Sequence, residues 1–164
     1  MTQAPLMDRI HITEDYCVPR VINGGWQLSA GHALERPLDL ADASRAFNRL
    51  IDMGFDTFDC ADIYTGVEDF FGGIIRERRK AGLRLPQIHT KFVPDLNDLA
   101  NVTPAYIENI ITRSLRRLGV ERLDAVQFHW WDYSVPGMVD VAGELVRLQE
   151  KGLIRLISST IFNA

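Results

Sequence analysis

Five short apolar runs, four intervening segments of helical period and a polar residue closing each later run predict a parallel α/β fold of the (β/α)8 barrel type. Strands joined by helices of this length pair in parallel through right-handed crossovers. An open doubly wound sheet shares the rhythm. It would set the polar strand ends in a row, whereas a closed barrel gathers them around one cavity. Convergence of the strand ends therefore favours the barrel, here its first five strands and four helices.

The elements follow in order. Residues 1–17 form an N-terminal extension or hairpin, in which the polar stretch His11 to Tyr16 pairs with the first extended run, Val18 to Trp26. Asp39 caps a helix whose apolar face is Ala43, Ala46, Phe47, Leu50 and Ile51, and Gly54 ends it. Phe55 to Asp59 is the second strand. Val67, Phe70, Phe71, Ile74 and Ile75 then repeat at helical spacing. Gln87 to Phe92 is the third strand, flanked by Pro86 and Pro94. Thr103 and Pro104 are a cap and a first helical position, and Gly119 stops that helix. Leu123 to His129 is the fourth strand. Ser134, Val135 and Pro136 open a helix that closes at Gly152, and Leu153 to Ser159 is the fifth strand.

The 164 residues suit one domain, 46% apolar and 24% charged, which excludes a disordered or membrane-spanning class. A net charge of −4 leaves no basic excess for nucleic acid or an anionic membrane. Two cysteines, Cys17 and Cys60, read as reduced thiols, and no secretory leader opens the chain; both point to the cytoplasm.

The chemistry sits at the strand ends. Asp59, Lys91 and His129 close three successive strands, and Ser158 to Thr160 close the next, each about one βα unit of roughly 30 residues apart. Lys91 lies inside an apolar run, where a buried ammonium needs a carboxylate, and Asp59 is one strand away. Tyr64 follows Asp59 by five residues. An ammonium beside a phenol lowers its pKa, a carboxylate keeps the ammonium charged, and an imidazole fixes the angle of a carbonyl oxygen. A phenol donating to a developing alkoxide suits carbonyl reduction, and with no hydride donor among the side chains a nicotinamide cofactor is implied.

The run Gly54-Phe55-Asp56-Thr57-Phe58-Asp59-Cys60-Ala61-Asp62-Ile63-Tyr64 resembles the aldo-keto reductase signature. His89-Thr90-Lys91-Phe92, Gln127-Phe128-His129-Trp130 and Gly24-Gly25-Trp26-Gln27 resemble that family's lysine strand, histidine strand and first barrel loop. The resemblance implies a (β/α)8 barrel that uses NADP(H) to reduce aldehydes or ketones. It makes Tyr64 the general acid, Lys91 and Asp59 its tuners and His129 the group that orients the carbonyl. It puts Gly25, Trp26, Asp59 and Thr160 at the cofactor and Trp26 and Trp130 along the pocket for a small carbonyl substrate, with no metal. Trp131 reads equally well as simple burial.

The chain departs from that family in two places. Aligned on Phe162, Thr160 takes the place of the family's serine and Ile161 that of its asparagine, unless a shift lets Asn163 serve. A full barrel also takes about 250 residues, so the expectation is an incomplete barrel whose open edges self-associate or are completed by another polypeptide. The alternative is a truncated, weakly active or inactive reductase-like protein with an interaction or regulatory role. A metal-dependent barrel hydrolase using His89, His129 and the aspartates is a third reading, opposed by Lys91 in its centre.

Overall fold

The computed structural model describes residues 8–30 and 39–160. Within them β3 (Asn23–Gly24), β4 (Thr57–Asp59), β5 (Gln87–Phe92), β6 (Leu123–Phe128) and β7 (Ile154–Ser159) form one sheet, every neighbouring pair parallel. Their spatial order is their chain order. A doubly wound sheet reverses direction at a switch point, and none occurs among these five strands. The sheet is therefore the wall of a barrel. Helices α1 (Leu40–Asp52), α2 (Val67–Lys80), α3 (Pro104–Leu118) and α4 (Met138–Glu150) alternate with the strands.

Strand parity divides the wall into two faces. On β5, Ile88, Thr90 and Phe92 are buried towards the helices, while His89 and Lys91 are partly exposed on the concave side. The apolar core lies between sheet and helices. There Phe47, Phe58 and Phe71 pack with ring centroids 5.0 to 5.3 Å apart, a mutual arrangement of edge contacts and one stack.

The predicted caps form. The Asp39 carboxylate accepts from the Ala41 and Asp42 amides at 2.9 and 3.0 Å, and Thr103 Oγ1 accepts from the Tyr106 amide at 3.2 Å. Two expectations change. The run Val18 to Trp26 is not one strand. Its start joins the hairpin of β1 (Arg9–Thr13) and β2 (Tyr16–Pro19), and only Asn23–Gly24 enters the barrel. Pro19 has no amide to continue a ladder. Gly25 then donates its own amide to Asp59 O at 2.8 Å, after which Trp26–Leu28 turn as a 3₁₀ segment. The other change is at α4, which starts at Met138 rather than at Ser134. Asp132 accepts from the Ser134 amide and hydroxyl at 2.8 and 2.7 Å, a side-chain turn that competes with helix, and Gly137 stands before Met138 at φ 112°.

The hairpin is tied to the end of the barrel where the strands begin. Arg9 reaches Asp56 at 2.9 Å, Arg155 reaches Asp15 at 2.8 Å, and Tyr16 Oη lies 2.9 Å from His89 Nε2. The opposite end carries Asp59, Lys91 and His129.

Candidate active site

Sheet register builds this site. Asp59 pairs with His89, so Lys91 stands one pleat higher on β5. Lys91 pairs with Gln127, so His129 stands one pleat higher again. Gln127 pairs with Ser158, which brings His129 level with Thr160. Each step is even, so all four side chains keep the concave face.

Lys91 Nζ donates to Asp59 Oδ1 at 2.5 Å and to the Cys60 carbonyl at 2.8 Å. The Lys91 side chain is 13% exposed and that of Asp59 31%, so the pair is sheltered but open on one side. Gln127 Nε2 donates to the same Asp59 oxygen at 2.7 Å. Tyr64 is carried by the loop between β4 and α2, held by its amide to Ala61 O at 3.1 Å and by Val67 donating to its carbonyl at 3.0 Å. Its ring centroid lies 5.4 Å from Lys91 Nζ. The expected lowering of the phenol pKa is not what this geometry produces. Burial first, and then the neighbouring Asp59 and Cys60 groups, hold the Tyr64 phenol above its ordinary value.

His129 Nδ1 and Thr160 Oγ1 are 2.8 Å apart, and burial followed by the Lys91 charge keeps the imidazole pKa below its ordinary value. The ring is neutral at neutral pH. Trp131 meets it edge-on with centroids 4.4 Å apart, and the indole N–H donates to Pro94 O at 2.7 Å.

The remaining expected site residues divide. Gly25 packs so close to Asp59 O, Phe71 and Val67 that a Cβ would stand 3.0 Å from each. Trp26 is 46% exposed beside it. Trp130 does not face the pocket: it is 1% exposed, packs on Phe128 and donates to Val135 O at 3.2 Å. With His129 turned inward, the next residue turns outward, and Trp131 takes the inner side. The Thr160 hydroxyl faces His129, while Ile161 and Asn163 lie outside the described residues. His89 and His129 occupy different levels of the wall, on Tyr16 and on Thr160, which leaves the hydrolase reading without a shared metal position. Gln127 was not singled out as a site residue; its signal was a polar side chain two residues before His129, on the same strand face.

The sequence pattern of the Aldo/keto reductase family matches residues 20–164. The chain belongs to that family. Among curated proteins, "Probable aldo-keto reductase 1" of Glycine max is 28% identical over 165 aligned positions, covering 96% of this chain and 45% of the relative. The chain thus spans about half the length of the curated relative it matches. Among solved structures, aldo-keto reductase AKR11C1 from Bacillus halodurans in its holo form superposes with TM-score 0.71 at 24% identity, over 93% of this chain and 50% of that one. An aldo-keto reductase structure from Pseudomonas aeruginosa superposes with TM-score 0.74 at 20% identity, covering 94% and 60%. At these identities the superpositions establish the fold. The four side chains that the sequence motifs single out, Asp59, Tyr64, Lys91 and His129, are the positions to test. Among the described residues no helix is long and apolar enough to cross a membrane.

Proposed function

We propose that this chain carries the proton-transfer centre of an NADP(H)-dependent reductase of small aldehydes or ketones. One observation carries the reading: Lys91, locked on Asp59, lies against the Tyr64 ring while neutral His129 shares the same face of the barrel. When bound, the reduced nicotinamide supplies the hydride that makes a carbonyl carbon into an alcohol. Polar groups suited to its carboxamide end are present, in Asp59 and the Thr160 hydroxyl, and Gly25 and Trp26 form the adjacent turn. Their chemistry fits that end of the cofactor.

The side chains then divide the work. Tyr64 carries its proton at neutral pH, as a phenol at or above its ordinary pKa does, and it gives that proton to the substrate oxygen as negative charge develops there. His129 orients that oxygen. Lys91 holds a positive charge near the phenol, and Asp59 with the Cys60 carbonyl fixes the ammonium. Trp26 and Trp131, both nearly half exposed, line the substrate side.

We read residues 1–164 as one incomplete barrel domain and place it in the cytoplasm, in keeping with Cys17 and Cys60 as unbridged thiols. Among the described strands β3 and β7 each have a single parallel neighbour.

The test is NADPH oxidation with a panel of aldehydes and ketones, run beside Tyr64→Phe. The expectation is turnover that falls about 100-fold or more in the variant, with NADPH affinity retained. Undiminished turnover in Tyr64→Phe refutes Tyr64 as the acid; no turnover of any carbonyl compound refutes the reading as a whole.

A further inference from the structure

Tyr64 sits on a loop, not on a strand, so its place opposite Lys91 must be set by something other than sheet register. Two buried carboxylates flank it. Asp62, two residues before, has a side chain 1% exposed; its Oδ1 accepts from the Val93 amide at 3.1 Å and its Oδ2 from Arg113 at 3.3 Å. Glu68, four residues after, is also 1% exposed and accepts from the Thr90 hydroxyl at 2.7 Å. Arg117 joins the two, donating to the Asp62 carbonyl at 3.1 Å and to Glu68 Oε2 at 3.2 Å. Thr90 precedes Lys91 by one residue and Val93 follows it by two. Both sides of the Tyr64 loop are therefore bound to the strand that carries Lys91, with α3 arginines as the brace.

This network lies outside the barrel wall. Asp62 borders a separate cavity of about 340 Å³ with Tyr106, Asn109 and Arg113, away from Asp59 and Gln127. Apolar packing would hold a loop against the wall with less desolvation than two buried carboxylates. Directional bonds to a backbone amide and a hydroxyl do what apolar packing does not: they fix a distance.

We propose that Asp62 is a positioning residue for Tyr64, fixing the phenol against Lys91 through Val93 and the α3 arginines. The inference rests on Tyr64 as the proton donor. It reaches a side chain that touches neither substrate nor cofactor. A displacement near 1 Å at a reacting group costs up to about 100-fold in rate.

The experiment compares Asp62→Ala, Asp62→Asn and Tyr64→Phe with wild type in the intact protein. Steady-state carbonyl reduction is measured together with NMR of ¹³Cζ-labelled tyrosine. The chain has four tyrosines, and Tyr64→Phe assigns the Tyr64 signal. Asp62→Ala is expected to lower kcat about 10- to 100-fold with KM and NADPH affinity within about twofold. The Tyr64 signal should move while those of Tyr16 and Tyr133 stay in place. Asp62→Asn keeps an acceptor for the Val93 amide and should recover part of the rate. An unmoved Tyr64 signal with kcat within twofold in Asp62→Ala overturns the proposal, as does a loss borne by KM and cofactor affinity instead of kcat. Should Asp62→Ala fail to fold, Asp62→Asn and Arg113→Gln decide by the same two readouts. If Tyr64→Phe keeps full activity, the reading of Tyr64 as the acid fails, and the NMR signal alone still decides whether Asp62 places Tyr64.

Discussion

Two adjacent glycines on α2 should respond to the same substitution with opposite signs. A Cβ at Gly72 would stand 2.0 Å from the Arg117 carbonyl oxygen and 3.1 Å from Leu118 Cα, both backbone of α3. A Cβ at Gly73 meets nothing nearer than the Arg76 guanidinium, at 4.0 Å. Neither glycine has positive φ, so alanine suits the backbone at both. In a helix interior alanine gains about 1 kcal/mol over glycine. Gly73→Ala should keep that gain. Gly72→Ala must drive two packed helices apart by more than 1 Å to reach an ordinary contact. Overpacking of this kind costs about 3 kcal/mol at the upper end of its usual range. The net loss is then about 2 kcal/mol, and the two variants differ by about 3 kcal/mol. Urea denaturation at a constant m value reads the gap directly as a difference in midpoint. A Gly72→Ala protein as stable as wild type, or as Gly73→Ala, refutes the close crossing of α2 and α3. Because Arg117 also braces the Tyr64 loop, a Gly72→Ala protein that still folds should lose kcat as well.

Three further outcomes follow from the concave face and from buried titrating groups. Gln127→Glu puts a carboxylate where an amide now donates to Asp59 Oδ1, so at neutral pH it should destabilise by about 1.5–3 kcal/mol, and Gln127→Leu by less; equal urea midpoints for wild type and Gln127→Glu would contradict the shared acceptor. His89 has its pKa lowered by burial, so the unfolded chain binds more protons below the ordinary value of 6.5 and stability should fall as pH drops below it, a loss that His89→Gln removes. Asp62 acts in the opposite sense: burial and then Glu68 raise its carboxyl to about 7 against the partial compensation of Arg113 and the Val93 amide, with Arg117 on its carbonyl. The folded state then holds the extra proton, so this contribution is full at acid pH and fades as pH rises towards 7, read as the flatter profile of Asp62→Asn.

The strands, helices and most boundaries were legible because each rests on a local device: an Asp39 or Thr103 cap, a Gly119 stop, an alternation on β5. The run from Val18 to Trp26 was not, because Pro19 and the contact of Gly25 with Asp59 O act through partners distant in sequence. Asp59 and Lys91 were legible as a pair because a lysine in an apolar strand requires a counter-charge. Trp130 and Trp131 were exchanged, although parity counted from His129 contains the answer. The outer brace of Asp62, Glu68, Arg113 and Arg117 had no local signal. Those residues read as ordinary charges on two amphipathic helices and a loop, and only the packing of α2 against α3 buries the carboxylates.

The direction of the Tyr64 shift bears on which way the site is armed. A phenol lowered towards neutrality would spend part of its time as phenolate, ready to accept a proton and so suited to alcohol oxidation. Lys91 could do that only with its charge uncommitted, and here Asp59 accepts from it at 2.5 Å while Gln127 steadies the same oxygen. Burial and then the nearby Asp59 hold the phenol above its ordinary value, and it is protonated at neutral pH. Such a group is a proton donor at rest. On the proposed reading, an ammonium 5.4 Å from the ring centroid favours loss of that proton as negative charge builds on a substrate oxygen.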